Sequence, residues 1–134
     1  MDYGYAERLV GAALAAAAQA GHAMAVAVVD KGGHLVSFAR MDGTGFLAVD
    51  VVIGKAYTAA AFGRPSHEMA AALDERPAFA SQLLTLSHGH MTPVIGGLPV
   101  FVDGRLVGGI GVGGATGEQD LEVAEAALRR EPRP

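Results

Sequence analysis

The chain has 134 residues, 51% of them hydrophobic, no cysteine, and a formal net charge of −4 with histidine neutral. That length suits one domain with a real core, and the apolar fraction excludes a disordered segment. Lys and Arg are too scattered to form a basic face for nucleic acid or an anionic membrane, and the lack of cysteine excludes a disulfide framework, a thiolate metal site and a cysteine nucleophile.

Apolar residues at Ala6, Leu9, Val10, Ala13, Ala16, Ala17 and Ala20 mark one face of a first helix, with Gly21 as its stop. The pattern begins so close to Met1 that no charged region, apolar region and cleavage site fit ahead of it, so a cytoplasmic protein is expected. Met24 to Val29 reads as a buried strand, Asp30-Lys31-Gly32-Gly33 as a turn, and His34 to Arg40 as the second arm of a hairpin. After "MDGTG", the run Phe46 to Phe62 reads as a long helix ended by Gly63, with Pro65 beyond. Ser66 is placed to cap a short helix, "HEMAAALD", and Pro77 suits the first turn of another that reaches about Leu86.

A loop, "SHGHMTPVIGG", leads into a second hairpin. Leu98 to Val102 is one arm, Asp103-Gly104 the turn, and Arg105 to Gly113 the return. Thr116-Gly117-Glu118-Gln119 fits a capping box for a last helix running to about Arg130, with residues 131–134 as a loose tail. Hairpins imply antiparallel pairing. The order predicts an α+β domain spanning residues 1–134, with flanking helices on a single antiparallel sheet built from two hairpins.

"GIGVGG" matches G-x-G-x-x-G, but a hairpin turn precedes it and the chain ends where the acidic partner of a dinucleotide site would stand. A Rossmann site is excluded. On strand alternation, Gly109, Gly111 and Gly113 share one face, nearly bare of side chains. Such a face admits either a closely packed alanine-rich helix or a ligand, and the sequence leaves both open. Lys55 shares a helical face with Val51, Val52, Ala59 and Phe62. In apolar surroundings it could serve as a base or anion binder, or its stem could carry the ammonium out to water.

His88 and His90 form an H-x-H element which, in extended backbone, would aim both imidazoles the same way. Two ligands do not make a metal site, and none of His22, His34, His67 or Asp50 is fixed by spacing as a third, so no metal site is assigned. With Met91 beside it, the pair suits a tetrapyrrole iron or acid–base work.

The stretches "VAVVDKGGHLVSFARMDG", "KAYTAAAFGRPS", "PVIGGLPVFVDGRLVGGIGVGGATGEQD" and "EVAEAAL" resemble the GlcG/HbpS-type haem-binding family, itself similar to the C-terminal domain of some corrinoid adenosyltransferases. The resemblance runs from about residue 5 to 128. Its motifs fall on Asp30, Gly32, Gly33, Arg40, Met41, Asp42, Lys55, Thr58, Phe62, Gly96, Gly97, Gly109, Gly111, Gly113, Glu118, Gln119 and Asp120. It implies a profilin-like topology, homo-oligomers from dimer to octamer, and haem binding, linked in some members to haem degradation or redox sensing. It fixes no axial histidine.

The expectation is therefore a small-molecule-binding protein with haem as cofactor, held by His88, His90, Met91, Arg40, Lys55 and the glycines 109, 111 and 113. Two alternatives stand beside it. One is a cofactor-independent enzyme with His88 or His90 as base and Lys55 or Arg40 gripping an anionic or carbonyl group. The other is a structural or regulatory subunit.

Overall fold

In the computed structural model, which describes residues 1–132, Asp2 opens the first helix, α1 (Tyr3–Ala20), by accepting the Tyr5 N–H at 2.8 Å. Gly21 closes it in the left-handed region. The cap starts the helix three residues ahead of the apolar pattern. Ala20, placed on the packed face by periodicity, is exposed.

A hairpin comes next, β1 (Ala25–Asp30) and β2 (Leu35–Arg40). In its turn, the Asp30 carboxylate accepts the N–H groups of Gly32 (2.9 Å) and His34 (3.0 Å). Burial works against the Asp30 charge, but these bonds and the nearby His34 ring outweigh it and hold the carboxyl below its ordinary range.

The long helix α2 (Leu47–Phe62) ends at Gly63, again left-handed. Beyond it lie a short 3₁₀ turn (Ser66–Glu68), α3 (Met69–Asp74) and α4 (Pro77–Leu86). The Ser66 side chain makes no cap; its hydroxyl is drawn instead to the backbone before the next strand, which competes better for it.

The second hairpin is β3 (Gly97–Val102) and β4 (Arg105–Gly113), turned by Asp103 (φ 51°) and Gly104 (φ 75°). Positive φ at both central residues is the twist-matching geometry of a two-residue hairpin. The last helix, α5 (Gly117–Arg130), carries both halves of the expected capping box, Thr116 with Gln119.

Among the described residues the strands form one antiparallel sheet in the order β2-β1-β4-β3. Pro99 is tolerated because β3 is an edge strand. Val26, Val28, Val100, Ile110 and Val112 face α1 and α5 and form the larger core with Leu9, Ala13, Val123 and Ala127. Ala25, Ala27 and Val29 face the other way, toward Val52, Ala56 and Ala60 of α2. No described helix is long and apolar enough to cross a membrane.

The expected tail is tied down where it is described. The Tyr5 hydroxyl donates to the Glu131 carbonyl (3.0 Å), and Arg8 pairs with the Glu131 carboxylate (3.4 Å). Residues 133 and 134 lie outside the described residues.

The bare face of β4 takes a helix. A Cβ on Gly111 would fall on the Val52 carbonyl and 2.8 Å from the Ala56 nitrogen, and one on Gly109 would fall on the Ala56 carbonyl. Of the two possibilities for Gly109, Gly111 and Gly113, the packed helix is the one realised, and no ligand floor is left open there.

Because helix backbone cannot yield as a side chain can, Gly111→Ala should cost about 2–3 kcal/mol in urea denaturation. Gly11→Ala, in α1 with nothing within 4 Å of the added carbon, should instead gain about 0.5–1 kcal/mol. Equal effects at the two positions would contradict the close approach.

Candidate functional site

The polar side chains singled out in the sequence sort themselves around the segment between α4 and β3. There α4 ends in a double backbone closure: the Gly89 N–H reaches the Leu84 carbonyl (2.8 Å) and the His88 N–H the Thr85 carbonyl (3.1 Å). His88 (φ 55°) takes the left-handed position that usually belongs to glycine, and Gly89 (φ 79°) continues the reversal. Histidine is one of the few side chains that enter this region with any frequency. The backbone is thus folded back rather than extended, and the strand-like alignment expected for the H-x-H pair does not form. Both histidines are exposed. No group of three or more His, Cys, Asp or Glu able to hold a metal occurs among the described residues.

Buried Ser87 organises the residues after it. Its hydroxyl accepts the Met91 N–H (3.1 Å), and its carbonyl accepts both the His90 N–H (3.1 Å) and the His90 ring Nδ1 (2.8 Å). A carbonyl can only accept, so Nδ1 carries the proton, and the neutral ring keeps its lone pair on Nε2. The imidazole also stacks on Tyr57 of α2, with centroids 5.1 Å apart and planes 26° apart.

The loop is sealed to α2 beyond that point. The Thr92 N–H donates to the Thr58 hydroxyl (2.7 Å), and the Thr92 hydroxyl donates to the His90 carbonyl (2.9 Å). Gly54 has no room for a side chain, since a Cβ there would strike Thr92 and lie 2.8 Å from the His90 carbonyl. The Ser66 hydroxyl donates to the Val94 carbonyl and accepts the Gly97 N–H (3.0 Å).

Two hollows flank the loop's supports. One of 420 Å³ lies along α4, lined by Ser81, Gln82, Thr85 and Leu86. Another of 190 Å³ is lined by Lys31, Gly32, Gly33, Tyr57 and Ala61. A larger one, 570 Å³, sits between the two hairpin turns, with Asp30, Lys31, His34 and Arg105 on its walls.

Lys55 does not join the histidines. It is 3% exposed, and its ammonium donates to the Val112 carbonyl (2.9 Å) and to Asp120 of α5 (3.0 Å), whose other oxygen accepts the Ala115 N–H. Neither a free base nor a stem reaching water describes it: it is one half of a buried ion pair. Arg40 is exposed at the end of β2, one edge of the sheet, while the histidine loop feeds β3 at the other edge. Three strand spacings, about 14 Å, separate those edges. Met91 is half-buried next to His90.

Sequence reasoning missed Tyr57 and Ser87, and it gave Thr58 and Asp120 only as positions of the resembled motif, without the partners they bind here. Asp120 was legible as a motif position at the start of the last helix, but nothing in the sequence paired it with Lys55. Tyr57 stood two places after Lys55 with no periodic signal to single it out.

The HbpS-like family, described as haem degrading protein HbpS-like, matches residues 1–129. The chain belongs to that family. A 15.0 kDa protein of the dhaT–dhaS intergenic region of Citrobacter freundii is 37% identical over 102 residues, which cover 75% of this chain and 70% of the relative. Against the corrinoid adenosyltransferase PduO of the same organism identity is 29%, and the match spans 30% of that protein's length. Among solved structures, a double mutant of Streptomyces reticuli HbpS superposes with a TM-score of 0.85 at 32% identity, covering 98% of this chain and 86% of the other. The haem complex of PduOC gives 0.84 at 27% identity, covering 96% and 93%.

The buried pair makes a direct prediction. Lys55→Met or Asp120→Leu alone should each cost about 3–5 kcal/mol by stranding the remaining charge, and the double variant should cost less than the sum of the two. Additive losses in chemical denaturation would mean that the pair is not coupled.

Proposed function

We propose that this chain is a single-domain, cytoplasmic, homo-oligomeric haem-binding protein and that His90 is its iron ligand. The observation that carries this is the anchored imidazole: Nδ1 is tied to the Ser87 carbonyl and Nε2 is left as the free lone pair on an exposed loop. Ligating histidines are commonly held this way, with the far nitrogen bonded so that tautomer and ring plane are set before the metal arrives. The neighbourhood fits an apolar macrocycle. Leu86 (74% exposed) precedes the loop, Val94 (47% exposed) lies within it, and half-buried Met91, a softer donor type, follows His90 in the chain. Membership of a haem-degrading family and the likeness to the PduOC haem complex support the choice of ligand.

Haem bound at such a site supplies one-electron and oxygen chemistry, the basis of the haem-degrading or redox-sensing role that we assign. The chain's own part is to hold the iron through His90 and to present Leu86 and Val94 as apolar contacts. The cofactor-independent alternative finds less support, since Lys55 is committed to Asp120 and Arg40 stands at the far edge strand.

Self-association is supported by α4, which buries none of its ten residues and leaves Leu84 and Leu86 facing outward. Light scattering at micromolar concentration should give at least a dimer mass, and a clean monomer would contradict it.

Haemin titration tests the ligand. The native protein should develop a shifted Soret band, and His90→Ala should weaken half-saturation by at least about tenfold while changing stability by less than about 1 kcal/mol. His88→Ala should leave the spectrum near that of the native protein. If alanine at each of His22, His34, His67, His88 and His90 leaves the titration unchanged, binding is nonspecific adsorption and the assignment fails.

A further inference from the structure

His90 is held at two points, and only one of them is local. The local hold is the Ser87 carbonyl on Nδ1, three residues back in the chain. A single hydrogen bond still lets the ring pivot about the line joining nitrogen to oxygen, which would sweep Nε2 through an arc. The second hold removes that freedom, because the Tyr57 ring of α2 lies against the imidazole face. Aromatic rings prefer such offset contacts, and a pair of this geometry shifts an equilibrium by about two- to tenfold.

Tyr57 is itself packed against a second element. The β1–β2 turn stands against it so closely that a Cβ on Gly33 would lie 2.6 Å from ring carbon Cδ2 and 2.7 Å from Cε2. Gly33 also has φ 84°, where a side chain is strained in any case. The turn itself is braced by the Asp30 carboxylate bonded to the Gly32 and His34 amides. A chain of contacts therefore runs from the turn, through an aromatic ring, to the imidazole.

We infer that Tyr57 is the positioning residue for His90, fixing the plane of its imidazole, with Gly33 as the surface that keeps Tyr57 in place. This rests on His90 as the haem ligand, but the packing can be read without haem. The ring face matters and the phenol oxygen does not, so phenylalanine should substitute.

Three variants, Tyr57→Phe, Tyr57→Leu and Gly33→Ala, are compared with the native protein by two readouts. The first is the NMR shift of the His90 ring protons in the haem-free protein, which the stacked ring perturbs through its ring current. The second is haemin half-saturation together with Soret position. Tyr57→Phe should match the native protein in both. Tyr57→Leu should move the His90 ring protons toward free-histidine positions and weaken haemin binding by about two- to tenfold. Gly33→Ala should shift the same His90 resonances by displacing the ring. The inference is overturned if Tyr57→Leu leaves the His90 protons unmoved, or if Tyr57→Phe behaves like Tyr57→Leu. Should Tyr57→Leu fail to fold, Gly33→Ala decides, and unmoved His90 protons in it overturn the inference. If His90→Ala binds haemin as the native protein does, the ligand assignment alone fails, and the ring-proton comparison still tests the positioning.

Discussion

The close approach of α2 to β4 is the contact on which the rest of the molecule depends. Gly109 and Gly111 give up their side chains so that the carbonyls of Ala56 and Val52 can occupy the space a Cβ would need. A helix normally stands off a sheet by the length of the side chains between them. Here one of the two layers of side chains is missing along β4, and small residues, Ala56 and Ala60, meet the strand from the helix. The arrangement tolerates no added carbon, because what lies opposite each glycine is backbone rather than the movable end of a side chain.

That seating has two consequences for polar groups. Lys55 of α2 reaches Val112 on β4 and Asp120 on α5, so one ammonium ties a helix, a strand and a second helix together. The desolvation cost of burying it is met by two hydrogen bonds from the ammonium and by the Ala115 amide on the other carboxylate oxygen. On the side that faces away from the sheet, Gly54 and Thr58 receive the loop after α4. That loop needs partners for its backbone, and it finds them in hydroxyls: Ser87 for Met91, Thr58 for Thr92, Ser66 for Gly97.

The histidine loop is therefore an exposed segment with a rigid base. His90 sits on the outer surface of α2, one layer above the sheet, with its imidazole fixed by a carbonyl from its own loop and an aromatic ring from the helix below. His88, two residues away, has a different duty. Its left-handed backbone turns the chain out of α4, and its side chain is left in solvent. Two histidines that look equivalent in the sequence have different surroundings, one turning the backbone out of α4 and one stacked on Tyr57.

Local rules made much of the fold legible in the sequence. The Asp103-Gly104 turn, the Thr116–Gln119 capping box, the helix stops at Gly21 and Gly63, and the bare glycine face of β4 are each decided within a few residues, by which φ values and hydrogen bonds those residues permit. Sequence could also point to the segment around His88 and His90, because glycine and proline punctuation marks a shaped loop. It could not assign the partners. Whether the glycines meet a ligand or a helix, whether Lys55 faces water or Asp120 sixty-five positions away, and which histidine stands on Tyr57 all depend on how α2 is laid across the sheet. Those contacts join residues far apart in the chain, and no periodicity or spacing encodes them. Only tertiary packing brings them within reach.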